Sequence, residues 1–320
     1  MNRNIKIAIG ITVIIVFLGI IVGFSLKNNK VYEDNKKLSI VTTNFSTYDF
    51  AKQIVGDKAN VVLLMEPGAD EHSFEPTASD LIKIKNADIF IYIGGEMEKW
   101  SEKVLESDTI DTNKTTIIKV TDCVNLIEET EVDGAEPEEE EEEEGAFDEH
   151  IWSSPTNAIK MVEYLAKKIS LEDEENREFY FRNAENYVGK IKNVQASIKE
   201  VVDNKKRDRL VFGDKMPMQY FLNEYDLKAS AAFNGCSTET EPSAKTIAYL
   251  INKVKEEKIP VVLYIELSTG KTAKSIATET GTKAMQIQTM HNISRDDFKN
   301  GETYVSLMEK NVKVLREALT

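Results

Sequence analysis

The chain has 320 residues, 41% of them hydrophobic and 30% charged, with 15 Gly and 7 Pro. This is globular composition for one large domain or two smaller ones, and it excludes a collagen-like or low-complexity chain. With 40 Lys and Arg against 55 Asp and Glu the formal net charge is −15, which argues against nucleic-acid binding, because phosphate contacts need clustered basic residues. The acidity is local: 14 acidic and no basic residues fall between Glu128 and Glu149, and the remainder of the chain is nearly neutral.

In chain order, the first feature is residues 7–24, IAIGITVIIVFLGIIVGF, an uncharged run preceded by Arg3 and Lys6. A bilayer core of about 30 Å needs roughly 20 apolar helical residues, and no small-residue cleavage site follows the run. Residues 1–26 therefore read as an uncleaved signal anchor, leaving the rest of the chain on the extracytoplasmic face of the cell membrane; a long cleaved signal peptide is the alternative. Residues 27–37 are polar and suit a flexible tether. The two cysteines are Cys123 and Cys236, and neither borders the apolar run, so no lipid-attachment cysteine is expected. An extracytoplasmic setting permits a disulfide between them, and two separate thiols fit the sequence equally well.

From residue 38 short β-rich runs alternate with helical patterns. LSIVTTN (38–44), NVVLLM (60–65), DIFIYIG (88–94) and TTIIKV (115–120) read as buried parallel strands of an N-terminal lobe spanning 38–127. The acidic segment 128–149 has the composition of a disordered, solvated loop. A first helix of the connection lies within 150–171, with Ser154 as N-cap and Pro155 at the first helical position. A second covers 172–204, with Phe179, Tyr187, Ile191, Val194, Ile198 and Val201 along one side; about 30 helical residues span roughly 45 Å. RLVFGD (209–214), KASAAF (228–233), VVLYIEL (261–267) and AMQIQTM (284–290) are the strands of a C-terminal lobe, 205–320. Within it, a helix over 242–257 carries Ile247, Leu250, Ile251 and Val254 as one stripe, and the last helix carries Tyr304, Leu307, Met308, Leu315 and Leu319. The fold class is α/β: two (β/α) lobes with parallel sheets joined by a long rigid helix, with a ligand cleft at the C-terminal ends of the strands.

The chain has three histidines, His72, His150 and His291. Each stands just after a predicted strand or before a predicted helix, and Asp214 ends the strand RLVFGD. Imidazole and carboxylate together suit first-row divalent metals. No HExxH or CxxC motif is present, so spacing alone leaves scattered surface histidines as an equal reading. Asp214 is equally readable as a strand-end cap, and Glu266, ending VVLYIEL, is a similar candidate.

The stretch GADEHSFEPTASDLIKIKNADIFIYIGGEMEKW resembles the signature of the cluster-A metal-binding proteins of ABC importers, the zinc and manganese solute-binding proteins. EHIWSSPTNA is similar to that family's second ligand motif, and ETEPSAKTIAYLINKVKEEKIPVVLYIEL, IATETGTKAMQIQTM and GETYVSLMEKNVKVLREAL resemble its C-terminal lobe. The resemblance covers about residues 38–320. It implies one divalent metal held between the two lobes, with His72 and His150 at the N-lobe ligand positions and His291 where the family usually has Asp. The third family ligand, usually His or Glu, precedes an aromatic-rich helix; here that region reads FGDKMPMQYF, with Asp214 the nearest carboxylate, one residue out of register. Lys215 is a poor ligand, because a protonated amine has no lone pair to offer.

Three imidazoles and one carboxylate favour Zn2+, with Mn2+ as the alternative. The resemblance implies a non-enzymatic binding protein that delivers metal to an ABC permease and its ATPase; with the apolar run read as an anchor, it is expected to be a monomer tethered to the membrane. Two other functions are weighed beside it: a metal-dependent hydrolase, which needs an open coordination position and a general base, and a surface adhesin on the same fold. The acidic segment, leading directly into His150, suits a low-affinity collector that raises the local cation concentration.

Overall fold

A computed structural model describes residues 37–69, 74–107, 110–135, 146–235, 237 and 241–320. The expected anchor 1–26, nearly all of the tether, His72, Cys236 and the centre of the acidic segment lie outside the described residues. Among the described residues no helix is long and apolar enough to cross a membrane.

Two four-stranded, wholly parallel sheets form the frame. The first comprises β1 (Ser39–Thr42), β2 (Asn60–Leu63), β3 (Ile89–Tyr92) and β4 (Thr116–Lys119), in the order β2-β1-β3-β4. The second comprises β5 (Arg209–Lys215), β6 (Lys228–Phe233), β7 (Val261–Ile265) and β8 (Lys283–Ile287), in the same relative order, β6-β5-β7-β8. In this order the chain reverses direction across the sheet between β1 and β3, and again between β5 and β7. Open α/β sheets place ligands just beyond the strand ends at such reversals.

Helices α1 (Phe45–Val55), α2 (Ala78–Lys85) and α3 (Lys99–Glu106) belong to the first lobe, and α4 (Pro155–Glu172) and α5 (Arg177–Asp203) form the connection. Then come α6 (Gln219–Tyr225), α7 (Ala244–Glu256), α8 (Lys271–Thr280), α9 (Arg295–Lys299) and α10 (Tyr304–Leu319). As expected, Ser154 caps α4, its side chain accepting from the Asn157 N–H at 3.1 Å, with Pro155 following. The connecting helices separate at Asp173, whose carboxylate caps a short 3-10 turn at Glu174–Asn176.

Alternating strand residues face two different cores. Ile40, Ile89 and Ile91 turn inward to one large core shared with α1, α4, α5 and α10, while Val41, Phe90 and Tyr92 turn outward under α2 and α3. In the second sheet Leu210, Phe212 and Leu263 face the shared core, whereas Val211 and Val262 meet Leu250, Val254 and Ile276 of α7 and α8. Burial on both faces explains why these strands read as continuous apolar runs.

The buried seam of α5 runs through Tyr180, Ala184, Tyr187, Ile191, Val194, Ile198 and Val201. Tyr180, rather than the expected Phe179, begins it: steps of three and then four residues back from Tyr187 land on Ala184 and Tyr180, one side of a helix. Phe179 instead lies beside Gly56 and under Lys58 and Arg182.

One buried carboxylate ties three helices together at the lobe junction. Asp49 on α1 accepts from the Tyr187 hydroxyl on α5, from the Tyr304 N–H at the start of α10 (2.9 Å) and from Gln53 (3.2 Å). Burial raises the Asp49 pKa above the ordinary carboxylate value, and these donors oppose the rise.

The segment expected to be irregular over 128–149 is ordered at both ends. Glu128 and Phe147 form an antiparallel bridge, and Asp133 pairs in parallel with Ser230 on the edge strand β6. Asp133 also accepts from Tyr249 and from Arg209 (3.0 Å), so its side chain, though exposed, is tied to the second lobe. Composition identifies an acidic run, but it does not show that single residues flanking the run have partners elsewhere in the fold.

Candidate metal centre

The centre is built on His150, which sits between the acidic segment and α4. It is 1% exposed. Its Nδ1 lies 2.9 Å from Asp148 Oδ1, and the same oxygen accepts the His150 backbone N–H at 2.7 Å. A carboxylate only accepts, so Nδ1 carries the proton in this contact, and a metal-binding ring would offer Nε2. This is the carboxylate–histidine arrangement that orients a metal-binding imidazole and raises its basicity. Asp148 is itself held, its carbonyl accepting from the Tyr220 hydroxyl at 2.8 Å.

His291 reaches the same place from the second lobe. The two imidazole rings stand edge to face with centroids 4.9 Å apart, and Trp152 faces both, at 5.5 and 5.6 Å. Strand β8 ends at Ile287, four residues before His291, and the turn passes through buried Met290 at φ +56°. A left-handed non-glycine residue costs about 1 kcal/mol or more and persists where surrounding packing holds it. Here Trp152 Nε1 donates to the Thr289 carbonyl at 2.9 Å. Glu266 at the end of β7 accepts from the Thr289 N–H (2.7 Å) and hydroxyl (2.6 Å). Glu266 is therefore used to hold the turn before His291, and burial pushes its pKa up to about 7. Beyond the turn, Asn292 Nδ2 donates to the carbonyls of Glu66 (3.1 Å) and Ala69 (2.7 Å), bracing the chain immediately ahead of the segment that contains His72.

Two further buried carboxylates shape the first-lobe side. Glu98 accepts from the N–H groups of Ile93 (2.6 Å) and Gly94 (2.9 Å), just past β3. Glu149 accepts the Met97 N–H with both oxygens, at 3.0 and 3.1 Å. Burial pushes Glu149 up to about 8. Its carboxylate occupies the space over Gly95, where a Cβ would lie 2.2 Å from Oε1 and where φ is +98°, so only glycine fits. Sequence reading did not find Glu149 or Met97; a charged residue in an acidic run and a methionine after a strand both read as ordinary surface and core.

Among the described residues, Asp214 keeps one carboxylate oxygen, Oδ2, buried without a hydrogen-bond partner, while Oδ1 accepts from the Lys215 N–H at 2.9 Å. It lines a cavity of about 360 Å³ with Phe233, Glu241, Ser268, Thr269 and Thr272, and neither His150 nor His291 lines that cavity. The β5–β6 register shifts after Phe212, and Gly213 admits Ala273 of α8 so closely that a Cβ there would lie 2.6 Å from its Cα. The strand end thus turns Asp214 towards α7 and α8. Among the described residues no group of three or more His, Cys, Asp or Glu is placed to hold a metal. What the described chain offers is a pair of imidazoles, one before α4 and oriented by a carboxylate, the other in the loop after β8; this is donor chemistry suited to a borderline divalent ion. Cys123 is a half-buried, unbridged thiol away from this chemistry.

Residues 40–318 match the sequence profile of the zinc-uptake complex component A periplasmic family. The chain is 36% identical over 282 residues to the zinc-binding lipoprotein AdcA of Streptococcus pneumoniae, covering 88% of this chain and 56% of that one. It thus spans about half the length of the curated streptococcal relatives it matches. It is 29% identical over 289 residues to the high-affinity zinc uptake system protein ZnuA of Bacillus subtilis, covering 88% of each. The crystal structure of the Zn(II)-bound ZnuA-like domain of the pneumococcal AdcA superposes with a TM-score of 0.74 at 34% identity, over 88% of this chain and 99% of that domain.

Proposed function

We propose that this chain, which belongs to the zinc-uptake complex component A family, captures a divalent transition metal on the extracytoplasmic face of the membrane, zinc in preference to manganese. It then hands the ion to the permease of a cognate ABC importer, driven by that importer's ATPase. The metal is cargo, held by His150 and His291, with His72 as a third ligand and Asp214 as the candidate carboxylate. The observation that carries this reading is the Asp148–His150–His291 geometry, in which a buried, oriented imidazole from one lobe faces an imidazole from the other.

The chain acts as a monomeric binding protein, tethered by the apolar run at 7–24, and not as an enzyme. Glu149 and Glu266 accept backbone N–H groups and so position the loops that carry Met97 and His291; a hydrolase-activity screen of the metal-loaded chain, expected to be blank, separates the hydrolase alternative. The test is elemental analysis of the untagged chain purified whole in detergent, alongside His72→Ala. The wild type is expected to retain close to one zinc through dialysis and His72→Ala to lose it. A wild type that emerges metal-free, with no submicromolar affinity for zinc or manganese, ends the reading.

The acidic run serves as an electrostatic collector upstream of the site. Removing residues 136–144 leaves the Asp133 and Phe147 anchor points in place. The expected result is a several-fold slower association of zinc at 10 mM ionic strength, where the screening length is about 30 Å, and little difference at 0.15 M, where it is about 8 Å. Site affinity should barely change. Stopped-flow association with a competing chromophoric chelator measures both, and an unaltered low-salt rate would count against collection.

A further inference from the structure

Met97 brings its sulfur to the histidine pair. Its Sδ lies 3.1 Å from His291 Nε2, across 194 residues of sequence, from the loop after β3 to the loop after β8. The contact has dedicated support: the Met97 N–H is held by both oxygens of Glu149, the residue next to His150, and Glu149 itself fits only because residue 95 is glycine. A methionine used to fill a core gap sets its thioether among apolar or aromatic atoms. This one directs it at the ring nitrogen of a proposed metal-binding imidazole.

We propose that the Met97 thioether is a ligand of the captured metal and that it sets the selectivity of the site. The inference rests on the reading that this site captures a metal, and it deepens that reading by naming a donor and the class of ion that donor prefers. Metal–nitrogen bonds of about 2.0–2.1 Å and metal–sulfur bonds at or above the roughly 2.3 Å of a thiolate place the two ligand atoms roughly 3.5 Å or more apart in a tetrahedral site. The 3.1 Å separation therefore needs to open by about half an ångström to admit the ion. Thioether sulfur is a soft donor. It favours zinc, cadmium and cuprous ions and penalises manganese, whose preferred partners are carboxylate, carbonyl and water oxygens. The two buried carboxylates at this point, Glu149 and Glu266, accept from Met97 and from Thr289, and so position the loops that present the thioether and His291.

The test uses the whole chain in detergent, loaded with zinc or cadmium, in the wild type and in Met97→Leu and Cys236→Ser. Met97→Leu nearly conserves volume, so folding is expected to be retained. Metal-edge X-ray absorption should show a sulfur neighbour among the nitrogen ligands of the wild type. That neighbour should be lost in Met97→Leu and kept in Cys236→Ser. The ratio of cadmium to manganese affinity should fall about tenfold or more in Met97→Leu, within the range by which supporting residues tune metal sites. A wild-type spectrum with bound metal and no sulfur neighbour overturns the proposal, as does a sulfur neighbour that survives in Met97→Leu and disappears in Cys236→Ser. A wild-type chain that takes up neither metal overturns the underlying metal-capture reading as well, and is recognised before any spectrum is compared.

Discussion

His150→Ala should weaken zinc binding by at least about a hundredfold, while leaving the protein folded. Outer-shell partners of metal-bound histidines are worth about 10–100-fold in affinity, and the histidine that such a partner supports carries at least as much. The imidazole is almost fully buried and cannot be replaced by a neighbour swinging in, because Trp152 and His291 already occupy two sides of it. Folding should survive because the backbone N–H of residue 150 still donates to Asp148, as it does now at 2.7 Å. Asp148→Asn separates orientation from ligation. The amide leaves a ring nitrogen in place but no longer enforces the proton on Nδ1, so a loss of about 10–100-fold is expected, smaller than for His150→Ala. Competition against a chromophoric chelator gives the affinities, and thermal unfolding of the metal-free proteins reports the fold. An His150→Ala protein that binds zinc like the wild type would remove this histidine from the site.

Much of the frame was legible from the sequence because its signals are strong and local. Eight apolar runs of strand length, separated by helical periodicity, become two parallel sheets because such strands are buried on both faces. His150 stood out because it lies between an acidic run and a capped helix start. Three features were not legible, each for a physical reason. One is the setting of Asp214: a register shift and a glycine under α8 bring this strand end to a cavity lined by α7 and α8 residues, and neither has a sequence signature. Asp133 looked like part of a solvated run, yet it pairs with an arginine 76 residues away. Met97 was hidden by chemistry: a methionine after a strand is far more often gap filler than ligand, and only the position of its sulfur separates the two. Residues that need a partner from another lobe to acquire meaning are those that periodicity and composition pass over.

Trp152 is where stability and binding are most tightly coupled, and Trp152→Ala should cost about 3–5 kcal/mol, the usual range for emptying a buried tryptophan site. The side chain is wholly buried in the core shared by both lobes. Its indole N–H donates to the Thr289 carbonyl, and its own carbonyl accepts from the Tyr304 hydroxyl at 2.9 Å. The residue therefore links the start of the connecting helices to the turn carrying His291 and to the last helix. Removing the ring leaves a cavity against both imidazoles and deprives Thr289 of its donor. The turn through Met290, held left-handed by this packing, should then relax and let His291 move away from His150. Zinc affinity is thus expected to fall about tenfold or more in Trp152→Ala, although tryptophan is no ligand. Trp152→Phe keeps most of the apolar surface and loses mainly the hydrogen bond, so about 1–2 kcal/mol is expected, with a smaller loss of affinity. Urea unfolding of the metal-free proteins reads the difference as a lower midpoint at unchanged slope. Trp152→Ala unfolding within about 1 kcal/mol of the wild type would mean that the site collapses around the missing ring. In that case His291 would be held chiefly by Glu266 and Thr289, and the coupling of its position to the shared core would have to be abandoned.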